Sequence, residues 1–300
     1  MIGAVGILVL VSLVLTGDPL YGYYVRIRHA RWERGIERDA DGVRRGCRAF
    51  EVGRGTPAVL LIHGFGDSPA VFRPLAERLA KSGFHARAMR LPGFGEPMER
   101  YRNADLDAWA TAVDGELSAL RESHAEVWLV GHSTGAAIAL LQQIEGPGRA
   151  DGLILLAPLV RVAGDRSPFV PARTWFEWLR PNLRQTRFVE NPFPRDLRDP
   201  DAGRDLPDDR FVPISIYAQL FALIDRIENG SMTIRVPVLM GLSPHDQVID
   251  SAAAAAYFDD LASARKQQVQ FPESGHLLML DHDRDRVADA IRTFIRASAS

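Results

Sequence analysis

Residues 126–144 read EVWLVGHSTGAAIALLQQI. The first six are mostly apolar and too short for a buried helix, so they read as a buried strand; Thr134 to Ile144 reads as a helix. Between them lies Gly131-His132-Ser133-Thr134-Gly135. So short a pattern arises by chance in about one such chain in ten, so the flanking strand and helix carry its meaning. A strand that turns sharply into a helix holds its central residue in strained backbone and points that side chain away from the sheet. Gly131 and Gly135 lack a Cβ, so neighbouring backbone can come close. A glycine-rich turn with an incidentally buried serine is the competing reading, and the strand–helix context disfavours it.

Outward from this turn the chain alternates strands and helices. Strands are expected at 57–62 (PAVLLI), 85–90, 152–158 (GLILLAP), 236–241 (VPVLMG) and 268–272 (QVQFP). Helices are expected at 70–82, where Val71, Leu75 and Leu79 are four apart, and from Asp105 to Leu120. Further helices are expected at 251–262, with Asp250 as a candidate N-cap, and at 283–297, with Val287, Ile291, Phe294 and Ile295 on one face. Uninterrupted apolar strands suit a sheet covered on both faces, and β–α alternation implies parallel pairing with right-handed crossovers. The rhythm breaks over about 160–233, a stretch rich in Trp, Phe and Pro. Because the strand pattern resumes at Val236, this stretch reads as a cap inserted into one domain.

Composition narrows the function. The chain has 300 residues, 46% hydrophobic and 25% charged, which is ample for a globular core. A net charge of −2 gives no electrostatic footprint for nucleic acid. The single cysteine, Cys47, excludes an internal disulfide, a thiolate zinc site and a CxxC redox pair. No metal-ligand spacing, P-loop or strand-following GxGxxG occurs, so neither a metal nor a cofactor is expected.

The N-terminus reads differently. Residues 2–15, IGAVGILVLVSLVL, carry no charge, and Tyr21, Tyr23 and Tyr24 follow. Residues 1–25 are therefore expected to form a membrane anchor, with the tyrosines at the interface. A cleaved signal peptide fits less well, since no basic residue precedes the run and Leu15-Thr16-Gly17 is a poor cleavage site. A buried core helix is the third option. Arginines at 26, 28, 31, 34, 38, 44, 45 and 48 make residues 26–48 a basic linker, and by the positive-inside rule they place the rest of the chain in the cytoplasm. Export after cleavage is the alternative. The arginines could face anionic headgroups, or form a solvated mixed-charge surface with Glu33, Glu37, Asp39 and Asp41.

Two further motifs flank the central turn. His63-Gly64-Phe65-Gly66-Asp67 follows the strand at 57–62. Stabilising a tetrahedral oxyanion takes converging N–H donors, for which the backbones of Phe65 and Thr134 are the candidates. The His63 side chain is expected to tie this loop, not to move protons. Late in the chain, Asp246 follows the strand at 236–241 and Gly275-His276 follows the last strand. A serine hydroxyl needs a base, and an imidazole oriented by a carboxylate supplies it. Ser133, Asp246 and His276 are thus the candidate nucleophile, acid and base. Asp250 competes for the acid but suits an N-cap, and His132, His245 and His282 are weaker candidates for the base.

HGFGDS at 63–68, LPGFGEP at 91–97, GHSTG at 131–135, Asp246 and Gly275-His276 together resemble the α/β-hydrolase superfamily. Within it the chain is most similar to the monoacylglycerol lipase, lysophospholipase and carboxylesterase branch. The resemblance covers about residues 50–298. It implies an α/β fold with a mostly parallel eight-stranded sheet flanked by helices, and an inserted helical cap over Ser133. It also implies cofactor-free hydrolysis through an acyl-enzyme. The expected organisation is a core at 49–159 and 234–300 interrupted by a cap at 160–233.

The cap carries Phe169, Trp175, Phe176, Trp178, Phe188, Phe193, Phe211, Ile214, Tyr217 and Phe221. Most should pack the cap itself, and Trp175, Trp178, Phe211 and Tyr217 are the candidate substrate contacts. The expected substrate is a small-molecule acyl ester, with monoacylglycerol, lysolipid or other medium- to long-chain esters favoured. Thioesterase, C–C hydrolase, aminopeptidase and acyltransferase chemistry could use the same residues, and a non-catalytic binding module could use the same fold.

Overall fold

The computed structural model describes residues 2–146, 150–164, 170–191 and 194–298, with side chains from residue 17 onward. Its strands are β1 (Phe50–Val52), β2 (Ala58–Ile62), β3 (His85–Met89), β4 (Val127–His132), β5 (Gly152–Leu156), β6 (Phe188–Glu190), β7 (Phe211–Pro213), β8 (Val238–Leu242) and β9 (Lys266–Gln270). Seven of them form the central sheet in the order β1-β3-β2-β4-β5-β8-β9. β2 runs parallel to β3 and β4, and β4–β5, β5–β8 and β8–β9 are parallel pairs. β1 lies antiparallel to β3 at one edge.

The apolar runs make this sheet because both its faces are buried. Successive strand residues point to opposite faces, and here each face has its own core. Leu60, Ile62, Leu129, Leu153, Leu155, Val238 and Met240 enter one cluster. Their neighbours Val59, Leu61, Trp128, Val130, Ile154, Leu156 and Leu239 enter the other. The first cluster is covered by α4 (Leu106–Arg121), α5 (Thr134–Glu145), α7 (Ile214–Glu228) and α8 (Ser251–Asp259), the second by α2 (Arg73–Lys81) and α9 (Arg284–Ser298). Asp105 caps α4 by accepting the Ala108 N–H at 2.7 Å, and Asp250 caps α8 by accepting that of Ala253 at 2.9 Å. Edge strand β9 is nearly all polar, which discourages pairing with a further strand.

The sheet corrects the expected eight strands to seven among the described residues. The stretch ahead of β1 folds into tight turns instead of an extra strand: the Asp39 N–H donates to Val43 O, the Gly42 N–H to Asp39 O and the Cys47 N–H to Arg44 O. The segment between β5 and β8 holds α6 (Ala172–Leu179), the antiparallel ribbon of β6 and β7, and α7, so it is not purely helical. The short α3 (Met98–Arg102) precedes α4.

The N-terminus brings a larger correction. No helix among the described residues is long and apolar enough to cross a membrane. This overturns the expected anchor over residues 1–25 and the membrane-tethered, cytoplasm-facing placement drawn from it. The side chains of the apolar run at 2–15 lie outside the described residues. The first helix, α1 (Ile2–Glu33), runs through residues 26–33, the first part of the expected basic linker. Its second half packs on the fold: Val25 is buried with Phe188 and Phe211. The Asp18 carboxylate accepts the N–H groups of Arg184, Gln185 and Thr186 at 2.9, 2.7 and 3.0 Å. Arg28 pairs with Glu190 at 2.6 Å. Farther along, Arg38 pairs with Glu33, Arg45 with Glu37, and Arg48 with Asp39 and Asp41. These arginines meet the interleaved carboxylates.

Candidate active site

The candidate residues come from the carboxyl ends of the central strands, where open α/β sheets present their sites. Ser133 follows β4 and opens α5. Its φ of 53° and ψ of −115° are a strained combination for a residue with a Cβ. Backbone bonds hold it there. The Ser133 N–H donates to Leu156 O at 2.9 Å, and Ser133 O accepts from Ala136, Ala137 and Leu159 at 3.1, 3.1 and 3.2 Å. The two motif glycines make room: a Cβ at Gly131 would lie 2.4 Å from Ala136 Cα, and one at Gly135 only 2.0 Å from Ile62 O.

Asp246 and His276 meet across the loops after β8 and β9. His276 Nδ1 lies 2.7 Å from Asp246 Oδ2, with the carboxylate fully buried and the imidazole nearly so. The other oxygen, Oδ1, accepts the N–H groups of Val248 and Ile249 at 2.8 and 3.0 Å. Burial pushes the Asp246 pKa up, but His276 and these two N–H donors outweigh it and hold the carboxyl below its ordinary value. Asp246 is therefore an anion at neutral pH. Asp250, the competing acid, is occupied as the α8 cap.

His132 and His63 are buried and serve the backbone. The His132 ring lies 4.6 Å from that of His276, and its Nε2 meets His276 O at 3.1 Å. Burial, with the neighbouring His276 acting in the same direction, lowers the His132 pKa to about 3, so Nε2 carries the hydrogen and donates. His63 Nε2 accepts the Leu91 N–H at 3.1 Å, which leaves Nδ1–H to donate to Gly64 O at 2.9 Å. Burial lowers its pKa to about 4. His63 ties the loop, as expected from its sequence.

One cavity gathers Phe65, Ser133, Thr134 and His276, with Leu159, Val162, Ala172, Leu220 and Val248 as apolar walls. Thr134 is the first residue of α5, and a helix leaves its first N–H groups without intrahelical partners. Among the four expected substrate contacts, Tyr217 lines this cavity and packs its ring on Phe65 at 5.3 Å. The expectation for Phe211 is corrected: it is buried against α1, its ring 5.2 Å from His29 and 5.5 Å from Trp32. Trp178 is 59% exposed and packs on Trp175, and neither lines the cavity. Phe169 and Phe193 lie outside the described residues.

The sequence reading missed a polar wall of the same cavity: Asp67, Asn191, Arg195, Asp196, Asp208 and Asp209. All but Asp67 come from the segment between β5 and β8. Their only signal in the sequence was a charged, proline-punctuated stretch at 190–213, which carries no periodicity to place it. The arrangement offers a strained serine, a carboxylate-held imidazole and candidate backbone donors around one partly apolar space. That set suits acyl transfer by way of a covalent serine ester.

Known proteins resemble this chain over most of its length. The family described as serine aminopeptidase, S33 (Hydrolase_4) matches residues 54–283. A thermostable monoacylglycerol lipase of Bacillus sp. (strain H-257) is 25% identical over 254 residues, 85% of this chain and 96% of that protein. A carboxylesterase of Bacillus subtilis (strain 168) is 22% identical over 249 residues, 83% of this chain and 96% of that one. Among solved structures, the monoacylglycerol lipase of Paleococcus ferrophilus superposes with a TM-score of 0.72 at 19% identity, covering 83% of this chain and 98% of that one.

Proposed function

Since the chain belongs to the serine aminopeptidase S33 family of α/β-hydrolases, we propose that it is a serine hydrolase that cleaves the carboxylic esters of acylglycerols and similar medium- to long-chain acyl esters. The observation that carries this reading is the convergence of a strained Ser133 and the Asp246–His276 pair on one partly apolar cavity. The named relatives support an ester over an amide.

In this mechanism Ser133 Oγ attacks the acyl carbonyl carbon while His276 Nε2 takes the hydroxyl proton. Asp246 fixes the imidazole through Nδ1 and stabilises the imidazolium. The N–H groups of Phe65 and Thr134 hold the oxyanion, each such donor typically being worth about 10²–10³ in rate. His276 then protonates the departing alkoxide. Water, activated by His276, cleaves the acyl-enzyme and restores the serine. The segment at 160–233 acts as the cap: Ala172, Tyr217 and Leu220 from it complete the apolar walls.

Aryl esters from two to twelve carbons and a monoacylglycerol, assayed with the intact chain beside Ser133→Ala, test the reading. Turnover should rise from short to medium chains and fall in the variant by about 10⁶. A preference for acetyl esters removes the lipid substrate. Activity untouched by the substitution removes the nucleophile.

A further inference from the structure

The charged stretch at 190–213 reaches the loops that carry the candidate catalytic residues, and one dipeptide touches three of them. Arg195 faces the loop after β2: its guanidinium donates to Asp67 at 3.2 Å, and to the carbonyls of Gly203, Leu206 and Pro207 at 2.9, 3.0 and 2.8 Å. Asp196 faces the other two loops. Its Oδ2 accepts the N–H of Gln247, the residue after Asp246, at 2.8 Å. Its main-chain carbonyl accepts the N–H groups of His276 and Leu277 at 3.1 and 3.4 Å. The fit is close: a Cβ on Gly275 would lie 2.8 Å from both Asp196 O and Oδ1. Just downstream the contact is locked. The fully buried Asp281 accepts the N–H groups of Arg198 and Asp199 at 2.8 Å each, and those of Gly275 and His282 at 2.7 and 2.9 Å.

We propose that Asp196 is a positioning residue: it bridges the loop of Asp246 to the loop of His276 and sets the spacing at which carboxylate and imidazole meet. The proposal rests on the reading of Ser133, Asp246 and His276 given above. Asp246 is held from one side by its own turn, through Val248 and Ile249. Asp196 supplies a second tie, through the Gln247 N–H, and it comes from the inserted segment. A displacement of about 1 Å in a catalytic group can cost about 10²-fold in rate, so a hydrogen bond that sets this spacing acts on kcat more than on KM. The same bridge couples the cap to the catalytic geometry.

The test compares Asp196→Ala and Asp196→Asn with the wild type and Ser133→Ala, using full-length protein well below each melting temperature. Steady-state kinetics on a medium-chain aryl ester are read together with the labelling rate by a fluorophosphonate probe. Asp196→Ala should lower kcat and the labelling rate by about tenfold to a hundredfold, with KM within threefold. Asp196→Asn keeps an acceptor for the Gln247 N–H and should regain most of that loss. If Asp196→Ala is too unstable to assay, Asp196→Ser, whose hydroxyl is too short to span the gap, takes its place with the same expectation. A raised KM at unchanged kcat makes Asp196 a substrate contact and overturns the proposal. So does an asparagine variant as slow as the alanine one, or an alanine variant with its kcat intact. Ser133→Ala separates the two claims: full activity there defeats the site itself, whereas an inactive Ser133→Ala beside a normal Asp196→Ala defeats the positioning role alone.

Discussion

At the scale of single residues, burial decides which charges exist at neutral pH. Asp246 is buried yet ionised, because a histidine and two N–H groups offset the loss of water. Asp246→Asn keeps the size but loses the charge and favours the wrong imidazole tautomer. The variant should fold normally and lose about 10⁴-fold in kcat on an aryl ester. Asp209 is the opposite case. Burial raises its pKa from 3.8 to about 7, only partly offset by the Gly95 N–H and Arg44, and its Oδ2 has no hydrogen-bond partner among the described residues. The native chain therefore keeps a proton here between about pH 4 and 7 that the unfolded chain has lost. The group favours the folded state at low pH, and that contribution disappears as pH rises to the native value. Asp209→Asn should therefore melt higher than the wild type at pH 8, with the difference shrinking at pH 5. A difference that does not change with pH would show that Asp209 is not titrating in this way. The sequence singled out Asp246 by its place after a strand, but nothing in it marked Asp209 as buried, because that burial comes from segments distant in the chain.

At the scale of elements, local pattern and long-range docking part company. β2, β4, β5 and β8, with α4, α5 and α9, are legible because each carries its own apolar run or stripe, and a cap such as Asp250 is local to the helix it starts. α1 beyond residue 17 is not. Its Asp18, Arg28 and His29 find their partners about 160 residues away in the β6–β7 ribbon and the turn before it. A charge-dense stretch whose partners are that distant reads as a linker. Asp18→Ala leaves three backbone donors without their acceptor. Hydrogen exchange at 184–186 should accelerate by about tenfold, while turnover, which does not involve this contact, stays near wild type. Unchanged exchange would mean that the carboxylate is not what orders that turn.

At the scale of the whole molecule, the cavity is a seam between the sheet core and the inserted segment. Ser133, Phe65 and His276 come from one side, and Tyr217, Leu220, Arg195 and Asp196 from the other. The seam sets the room available to an acyl chain. Leu220→Trp narrows its apolar part and should shift the preferred ester towards shorter chains, each methylene left outside the cavity losing about 0.8 kcal/mol of binding. An unchanged chain-length profile would place the acyl group elsewhere. The sequence by itself determined the strand–turn–helix around Ser133 and a mostly parallel sheet buried on both faces, and it singled out Asp246 and His276 as candidates by their places after strands. Those features follow from neighbouring residues and their periodicity. Only the tertiary structure decided that α1 packs on the β6–β7 ribbon, that Phe211 faces α1 instead of the cavity, and that Asp67, Arg195 and Asp196 meet at the site. The physical reason is that hydrogen bonds and ring contacts between distant segments leave no repeat in the chain, so they exist only once folding has brought those segments together.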